Sequence, residues 1–358
     1  MTQQRSTIDA LAEQAMAALR AGDAAAAHAA ADRALELGPQ DLRALLTKAD
    51  LLAEQGAARE ANLYYGALLQ RAGQGAAGMP QEVARGVARA RAFRDRLIAE
   101  RGRQLTDALS AAGYEPGRSD PRFTHALDLL MGRRQPFMPQ PKAFYYPELP
   151  ARQFYPRADF PWLDRLEAAV DDMTDELHAL LEGDAGFTPY LQSAPGLPNQ
   201  PGYALIDSLD WSSAFLWKDG AETAHAARCP RTMAALADAP LCRVKGRSPQ
   251  IMFSQLKPGA HIRPHHGFVN TRLICHVPLI VPPGCRFRVG NETREWERGK
   301  AWVFDDTIEH EAINQSDRTR VVLIFDIWRP ELSEEERGLI ATLLETLDAY
   351  APARREGD

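Results

Sequence analysis

Five short apolar segments in the C-terminal half of the chain decide its fold. They are RSPQIMFSQL (residues 247–256), TRLICHVPLIV (271–281), CRFRVGNETREW (285–296), KAWVFDD (300–306) and RTRVVLIFDIW (318–328). Each segment alternates apolar and polar residues or is continuously apolar, and turn-forming residues separate it from the next. Successive short strands of this kind are typical of an antiparallel barrel or jelly roll.

The N-terminal third has a different composition, rich in alanine, leucine, arginine and glutamate, which predicts helices. Gly22 and Gly56 lie 34 residues apart, as do Leu35 and Leu69. A period of 34 with two helices per unit resembles the tetratricopeptide repeat. A further helix is expected over 81–112. Two interpretations stay open: a module that docks a peptide or protein partner, or a scaffold that packs on the second domain or dimerises.

Changes in composition near residues 115 and 137 divide the chain. A helix is expected from about 161 to 181, and another from 333 to 350, where Ser333 and Glu336 have the spacing of a capping box. In the predicted organisation a helical domain (1–115) and a linker or helix (116–142) precede a barrel domain (143–332) and a C-terminal helix and tail (333–358). The predicted fold class is therefore α+β.

The bulk composition excludes several classes of protein. The chain has 42 lysines and arginines against 48 aspartates and glutamates, a net charge of −6, which argues against nucleic-acid binding. The four cysteines form no C-x-x-C pair, so neither a structural zinc site nor a disulfide framework is expected. We find no signal-peptide pattern and no run of about eighteen apolar residues. The expectation is a cytoplasmic protein with no membrane span.

Five of the nine histidines fall between residues 261 and 310. Neighbouring residues of a strand point to opposite faces, so only one of His265 and His266 can face a barrel interior. On the next strand Arg272, Ile274 and His276 share one face. If that face is inward, the two polar side chains need an anion or a polar partner, because burying them unpaired is costly.

This arrangement suits a non-haem iron oxygenase. Ferrous iron accepts imidazole ligands and keeps positions open for a 2-oxo acid and oxygen. His265 and His310 lie on two predicted strands, and Arg320, ten residues after His310, is placed to bind the far carboxylate of the 2-oxo acid. The usual facial triad also has a carboxylate two residues after the first histidine, where this chain has Gly267. The alternative is that these histidines are core residues.

The motifs of this region resemble one family closely. PGAHIRPHHG (258–267), NETREW (291–296), FDDTIEHE (304–311) and DIWRPEL (326–332) occur in the order found in the aspartyl/asparaginyl β-hydroxylase family of Fe(II)/2-oxoglutarate oxygenases. A weaker resemblance reaches upstream to about residue 144. Members of the family are double-stranded β-helix barrels of the jelly-roll or cupin type, and many carry helical repeats at the N-terminus.

The resemblance implies a set of site residues. The family holds iron by two histidines alone, which correspond to His265 and His310, and has glycine at the position of Gly267. It implies that His276 lies near the 2-oxoglutarate carboxylate at the metal. The remaining residues that it implies are Ser254 and Arg320, which bind the far carboxylate, and Arg272, which contacts a substrate carboxylate.

One position departs from the family pattern. Animal members have a second arginine at the cofactor where this chain has Ile274, so fewer charges would hold 2-oxoglutarate. His266 replaces a small polar residue and receives no role, and His261 is expected outside the ligand set.

Several other segments admit two interpretations. Asp305 and Asp306 either brace His310 or cap a turn. The Pro/Gly-rich stretch 194–207 either covers the substrate or is an ordinary surface loop. Trp211 and Trp217 are expected in the core, and 291–296 is expected to form a β-turn without direct chemistry.

Three functions compete. The first is hydroxylation of an Asp- or Asn-like β-carbon in a peptide, a protein or a small molecule. The second is halogenation, since an iron site without the carboxylate has room for chloride. The third is a non-catalytic interaction scaffold, against which the retention of both histidines and Arg320 speaks. A protein partner on the helical repeats would fit any of the three.

Overall fold

The structure is a computed structural model that describes residues 2–73, 79–182, 186–193 and 204–350. These residues fall into two units, Met1–Met131 and Gly132–Asp358. The first unit is helical, and the second combines two antiparallel sheets with flanking helices. The α+β fold class predicted from the sequence is confirmed.

Aspartate side chains begin the helices of the first unit. Asp23 accepts a hydrogen bond from the Ala26 N–H at 3.0 Å, and Asp41 accepts from the N–H groups of two residues of the next helix. The helix that follows Gly38 and Pro39 begins only at Leu42, because Asp41 supplies its N-terminal cap. The helices are α1 (Thr2–Arg20), α2 (Ala24–Leu37), α3 (Leu42–Glu54), α4 (Ala58–Gly73), α5 (Gln81–Ala111) and α6 (Pro121–Leu130).

The 34-residue period is visible as a repeated turn. Gly22 and Gly56 adopt φ of +77° and +78°, a left-handed conformation that glycine tolerates best. Ala27 and Ala61, also 34 residues apart, are fully buried one turn into the following helices. The α1–α2 and α3–α4 pairs are therefore built alike. A partner bound to this unit stays a prediction.

Eleven strands of the second unit are found in the described ranges, and they form two antiparallel sheets. The larger sheet has the order β1-β2-β4-β11-β6-β9, with β3 paired to β2, and the smaller has the order β5-β10-β7-β8. The strands are β1 (Thr188–Pro189), β2 (Trp211–Lys218), β3 (Ala221–Glu222), β4 (Ile251–Leu256), β5 (His261–His265), β6 (Arg272–Ile280), β7 (Cys285–Val289), β8 (Glu292–Glu295), β9 (Trp302–Phe304), β10 (His310–Asn314) and β11 (Arg320–Trp328).

From β4 onward the chain winds between the two sheets. β4, β6, β9 and β11 lie in the larger sheet, and the strands between them lie in the smaller one. The first and last strands of this set, β4 and β11, are hydrogen-bonded neighbours, as are β5 and β10. This order is the double-stranded β-helix that the family resemblance implies, and the expectation is confirmed.

Strand alternation places two cores on the two faces of the larger sheet. Ile274 faces the smaller sheet and packs with Phe287 and Phe304 in the core between the sheets. Its neighbours Leu273 and Cys275 face the opposite way, against the helices that cover the outer face. Arg272, Ile274 and His276 therefore share one face, as the period of two predicts, and the structure makes that face the inner one.

Helices flank the sheets. The helix expected at 161–181 is two helices, α7 (Leu163–Ala168) and α8 (Val170–Glu182). The remaining helices are α9 (Pro230–Ala235) and α10 (Glu334–Tyr350). The capping box at the start of α10 is confirmed, since the Ser333 N–H donates to Glu336 at 2.8 Å and the Glu336 N–H donates to Ser333 Oγ at 3.2 Å. Among the described helices, none combines the length and the apolar character that crossing a bilayer requires.

Candidate active site

A β-bulge on β5 decides which histidine faces the barrel interior. His265 lies opposite His310 and Ile262 lies opposite Ala312, so two residues of β5 face one residue of β10 between those pairs. Ile262 and Ala312 both belong to the inner core. The extra residue reverses the alternation and brings His265 to the same face, and bulges next to active sites commonly redirect a side chain in this way.

The two histidine rings are placed as a pair, with centroids 4.0 Å apart. The Nδ1 of His265 lies 2.8 Å from the carbonyl oxygen of Arg263, and the Nδ1 of His310 lies 3.1 Å from that of Ile308. A carbonyl only accepts hydrogen bonds, so each Nδ1 carries the proton and donates it. Each Nε2 then keeps its lone pair, which is the form that binds a metal.

Burial keeps both rings neutral. Burial lowers the pKa of His265, and the hydrogen bond to Arg263 opposes this only in part. Burial also holds the pKa of His310 well below its ordinary value, and the neighbouring His265 lowers it further. Because only the neutral ring is a ligand, the pair is ready to bind metal at neutral pH.

We expect metal affinity to stay constant over the range where exposed histidines titrate. A proton competes with the metal only below the pKa of each folded ring, and both values lie below the ordinary 6.5. The dissociation constant for Fe(II), titrated anaerobically, should therefore be flat from about pH 8 down through about pH 6.5 and rise only at lower pH. A rise of tenfold or more per pH unit already near pH 6.5 would mean that the rings titrate as exposed groups.

Gly267 stands where a facial triad has its carboxylate, and a neighbouring aspartate explains why. A Cβ added at Gly267 would lie 2.2 Å from Oδ2 and 2.4 Å from Cγ of Asp306. Asp306 is buried, and its Oδ2 lies 3.3 Å from Arg272 Nη2. No side chain fits at position 267 unless Asp306 leaves this ion pair.

We therefore expect Gly267→Ala to destabilise the protein by about 1–3 kcal/mol, the usual range for an overpacked site. Gly267→Asp should likewise fail to create a working facial triad. The measurement is urea unfolding of the metal-free protein. Gly338→Ala is the control, because a Cβ there meets nothing within 4 Å. If Gly267→Ala were as stable as the wild type, contact with Asp306 would not be the reason that position 267 is a glycine.

Arg272 lies inside a group of charges. Besides Asp306, its guanidinium lies 3.8 Å from Asp326 Oδ2. Burial raises the pKa of Asp326 to about 6, and Arg272 opposes that rise. Burial raises the pKa of the nearby Tyr190, whose ring stacks on Trp211 with centroids 4.3 Å apart. The residue expected to bind a substrate carboxylate is thus already paired with two carboxylates.

Arg320 is a buried cation that contacts no carboxylate in the described part of the chain. It is 1% exposed, and its Nη1 donates to the Ser254 carbonyl at 3.2 Å. Its Nε is buried and makes no hydrogen bond to a described residue. Burial lowers the pKa of Arg320 to about 10. Such a group is suited to an anion supplied from outside the chain.

Other groups with unused hydrogen-bonding capacity lie beside Arg320. The guanidinium carbon of Arg320 lies 4.6 Å from the ring centroid of Trp296, and the His276 ring stacks on the same indole at 6.0 Å. The Nδ1 of His276 and the Nε1 of Trp296 are buried and have no partner among the described residues. Burial, together with the charge of Arg320, holds the pKa of His276 well below its usual value.

Ser254 lies in this pocket as well. Its Oγ is 3.4 Å from Trp211 Nε1, which donates to it. Ile274, at the position of the expected second arginine, packs in the inner core and offers no charge. The structure thus groups Ser254, Arg320 and, across the Trp296 ring, His276 between the sheets. The rings of Phe287 and Phe304 lie against both His276 and His310, and so connect this group to the histidine pair.

Two tryptophans contact the candidate site residues, which the sequence did not indicate. We expected 291–296 to have no direct chemistry, but Trp296 forms a wall of the Arg320 pocket. We expected Trp211 in the core, where it is, but its ring also lies 6.5 Å from that of His265. The one signal in the sequence was the position of Trp296 at the end of the otherwise polar stretch 291–296. Trp217 packs against the outer core.

The two aspartates before His310 have separate tasks. The Asp305 carboxylate accepts from the Thr307 N–H at 2.9 Å and lies 3.3 Å from the buried Arg329, so Asp305 caps the turn. Asp306 pairs with Arg272 instead. His310 is braced by the Ile308 carbonyl rather than by a carboxylate.

The remaining histidines lie outside the pair. His261 is exposed, and its Nε2 is 2.7 Å from Glu311 on the outer side of the small sheet. His266 is partly buried, and burial lowers its pKa. Residues 194–203 of the proposed cover loop lie outside the described residues.

The donor set fits iron held by two histidines. Among the described residues, no group of three His, Cys, Asp or Glu side chains is arranged for a metal ion. Two imidazole nitrogens from the histidine pair would leave coordination positions of a bound metal open for a bidentate acid. The unpaired Arg320, His276 and Trp296 nitrogens next to them fit an anionic co-substrate.

Comparison with known proteins gives related sequences. The family described as aspartyl/asparaginyl beta-hydroxylase matches residues 167–330. The mouse aspartyl/asparaginyl beta-hydroxylase is 35% identical over 184 residues, which cover 49% of this chain but 24% of that protein. The match therefore spans about a quarter of that relative. The ornithine lipid ester-linked acyl 2-hydroxylase of Rhizobium tropici is 31% identical over 216 residues, or 59% of this chain and 72% of that protein.

Several solved structures with similar parts are cupin domains. One, from a transcriptional regulator of Enterobacter cloacae, is 17% identical and covers 23% of this chain and 82% of that domain, with a TM-score of 0.19. Another, from Bordetella pertussis, is 19% identical and covers 25% of this chain and 92% of that domain, with a TM-score of 0.20.

Proposed function

Because the chain belongs to the aspartyl/asparaginyl β-hydroxylase family, we propose that it is an Fe(II)- and 2-oxoglutarate-dependent dioxygenase that hydroxylates an unactivated C–H bond. The observation that carries the proposal is the buried Arg320 without a carboxylate partner among the described residues, next to two neutral histidines with free Nε2 atoms. The bound iron would supply oxygen activation, coupled to the conversion of 2-oxoglutarate to succinate and carbon dioxide.

Different residues of this chain would bind the metal, bind 2-oxoglutarate and exclude water. His265 and His310 would hold the metal through Nε2, and their backbone hydrogen bonds fix the direction of both lone pairs. Arg320 and Ser254 would bind the far carboxylate of 2-oxoglutarate, and His276 would lie by the carboxylate at the metal. The aromatic walls formed by Trp211 and Trp296 would exclude water from the site.

The substrate position is proposed from Arg272. Its side chain is 18% exposed although it pairs with Asp306 and Asp326. The five N–H donors of an arginine exceed what these two contacts use. We propose that Arg272 binds a substrate carboxylate and that the paired aspartates hold its guanidinium in place.

The printed names of two relatives point to a common reacting carbon. One hydroxylates the β-carbon of aspartyl or asparaginyl residues and the other the 2-position of an acyl chain. Both carbons lie next to a carbonyl group. For this chain we propose a CH₂ next to a carboxyl, amide or ester carbonyl, most simply the β-carbon of an Asp- or Asn-like group in a peptide, a protein or a small molecule.

Hydroxylation fits better than halogenation. A halogenase needs room for chloride at the vacant ligand position. In this protein the Asp306 carboxylate occupies the space beside Gly267, and an anion there would oppose chloride. The scaffold hypothesis leaves the cost of burying Arg320 without explanation.

The test is an anaerobic titration of the full chain with Fe(II) and then 2-oxoglutarate. A visible charge-transfer band that saturates with 2-oxoglutarate is the expected result. Oxygen is then added with aspartyl, asparaginyl and alanyl peptides, and we expect a gain of one oxygen in the first two, with stoichiometric succinate. Chlorinated product in chloride buffer would favour the halogenase. If the protein retains no iron and shows no charge-transfer band, the enzyme hypothesis is refuted.

A further inference from the structure

Two adjacent serines of β2 differ in the face to which they point. Ser212 and Ser213 are both buried, at 0% and 1% exposure, and neither hydroxyl has a hydrogen-bond partner among the described residues. A buried hydroxyl without a partner is costly. Since neighbours on a strand alternate, one serine faces the inner core and the other faces the outer core.

The strand register shows which serine faces inward. Ser213 lies directly opposite Ser254 on β4, and directly opposed residues point to the same face. Ser254 faces inward, because its Oγ accepts the hydrogen bond of Trp211, a member of the inner core. The next residue, Ala214, lies opposite Phe253 of the outer core, which places Ser212 on that outer side.

Ser213 therefore borders the pocket of the lone arginine. Ser254 lies between Ser213 on β2 and Val322 on β11, and Arg320 begins β11 two residues before Val322. Ser254 and Arg320 are diagonal neighbours on paired strands, a separation that a long side chain spans, and Ser213 is the directly opposed neighbour of Ser254 on its other side. The Nη1 of Arg320 already donates to the Ser254 backbone. A carboxylate bound by Arg320 and Ser254 would lie within reach of the Ser213 hydroxyl.

We infer that Ser213 is a further co-substrate-binding residue, whose hydroxyl donates to the far carboxylate of 2-oxoglutarate beside Ser254 and Arg320. This inference rests on the proposed function. It also explains how the chain would hold the co-substrate although Ile274 replaces a charged residue. The hydroxyls of Ser213 and Ser254 would add neutral hydrogen bonds to the charge of Arg320. The unpaired hydroxyl of Ser213 is then part of a ligand site rather than a packing defect.

The experiment measures 2-oxoglutarate binding to the full chain by anaerobic calorimetry with Mn(II) in place of iron, so that no turnover is needed. Ser213→Ala should raise the dissociation constant at least about tenfold, the effect of one lost hydrogen bond to a charged group. Ser212→Ala is the matched control, because it removes an equally buried, equally unpaired hydroxyl one residue away. It should change the constant less than twofold. Both variants should keep wild-type Mn(II) affinity.

A second ligand separates binding from folding effects. 2-Oxopentanoate has the same carbon chain but lacks the far carboxylate, so its binding should not respond to Ser213→Ala. If Ser213→Ala binds 2-oxoglutarate like the wild type while Arg320→Met does not bind it, the inference is wrong and the proposed function stands. If the wild type with Mn(II) binds no 2-oxoglutarate, both are wrong.

Discussion

Replacement of either histidine of the pair should abolish iron binding. We expect His265→Ala and His310→Ala each to weaken Fe(II) affinity at least a hundredfold, since even changes behind a metal ligand cost about 10–100-fold. The loss of affinity is large because the protein would supply only two ligands, so that each replacement leaves the metal with a single protein ligand. Anaerobic equilibrium dialysis measures the affinity, and loss of the charge-transfer band should accompany it.

His261→Ala is the matched control for this prediction. His261 lies on the same strand as His265, but it is exposed and pairs with Glu311 on the outer side. Its replacement should leave iron affinity within about twofold, because an exposed pair of this kind contributes little. The far-ultraviolet circular dichroism of all three variants should match the wild type. Full iron binding by His265→Ala would place the metal elsewhere.

Arg320→Met should have opposite effects on co-substrate binding and on stability. Without ligand, burial lowers the pKa of Arg320 to about 10, which corresponds to about 3 kcal/mol against the charged form. Because folding lowers the pKa of Arg320, the folded protein carries the full free-energy cost of the buried charge at every pH below about 10. A methionine of similar size removes that cost, so the free energy of unfolding of the ligand-free protein should rise by about 1–3 kcal/mol.

The same change should weaken 2-oxoglutarate binding at least a hundredfold, because it leaves a carboxylate buried without its cation. Calorimetry with Mn(II) measures the affinity, and chemical unfolding with and without 2-oxoglutarate measures the linked stability. The wild type should be stabilised by 2-oxoglutarate and Arg320→Met should not.

Arg243→Met is the control for the loss of an arginine over a tryptophan. Arg243 is exposed and lies 5.0 Å from the centroid of Trp217, a contact similar to that of Arg320 with Trp296. We expect unchanged 2-oxoglutarate affinity in this variant. If Arg320→Met instead lost stability and kept its affinity, Arg320 would be a structural residue and the pocket would serve another purpose.

The sequence predicted which residues of β6 share one face, because alternation is a local property. Arg272, Ile274 and His276 follow one another at a period of two, which a strand segment without a bulge obeys. The capping box at Ser333 and the turns at Gly22 and Gly56 were predictable for the same reason, since each depends on residues within one helical turn.

The sequence left open which of His265 and His266 faces inward, because the bulge that decides it is a property of the pair β5–β10. The extra residue on β5 is counted only against its partner strand. Trp296 was missed for a related reason. Its contact with Arg320 joins residues 24 positions apart that meet only when the two sheets close.

The sequence by itself determined the α+β class, the barrel, the repeated helical turn and the residue types available to a metal and an anion. These follow from periodicity and from chemistry that each residue carries with it. Only the tertiary structure decided that Asp306 fills the space beside Gly267, that Arg272 is already paired, and that Arg320 is not paired with a described carboxylate. The physical reason is that charge compensation and close approach depend on distances between strands, and these distances exist only once the sheets have packed together.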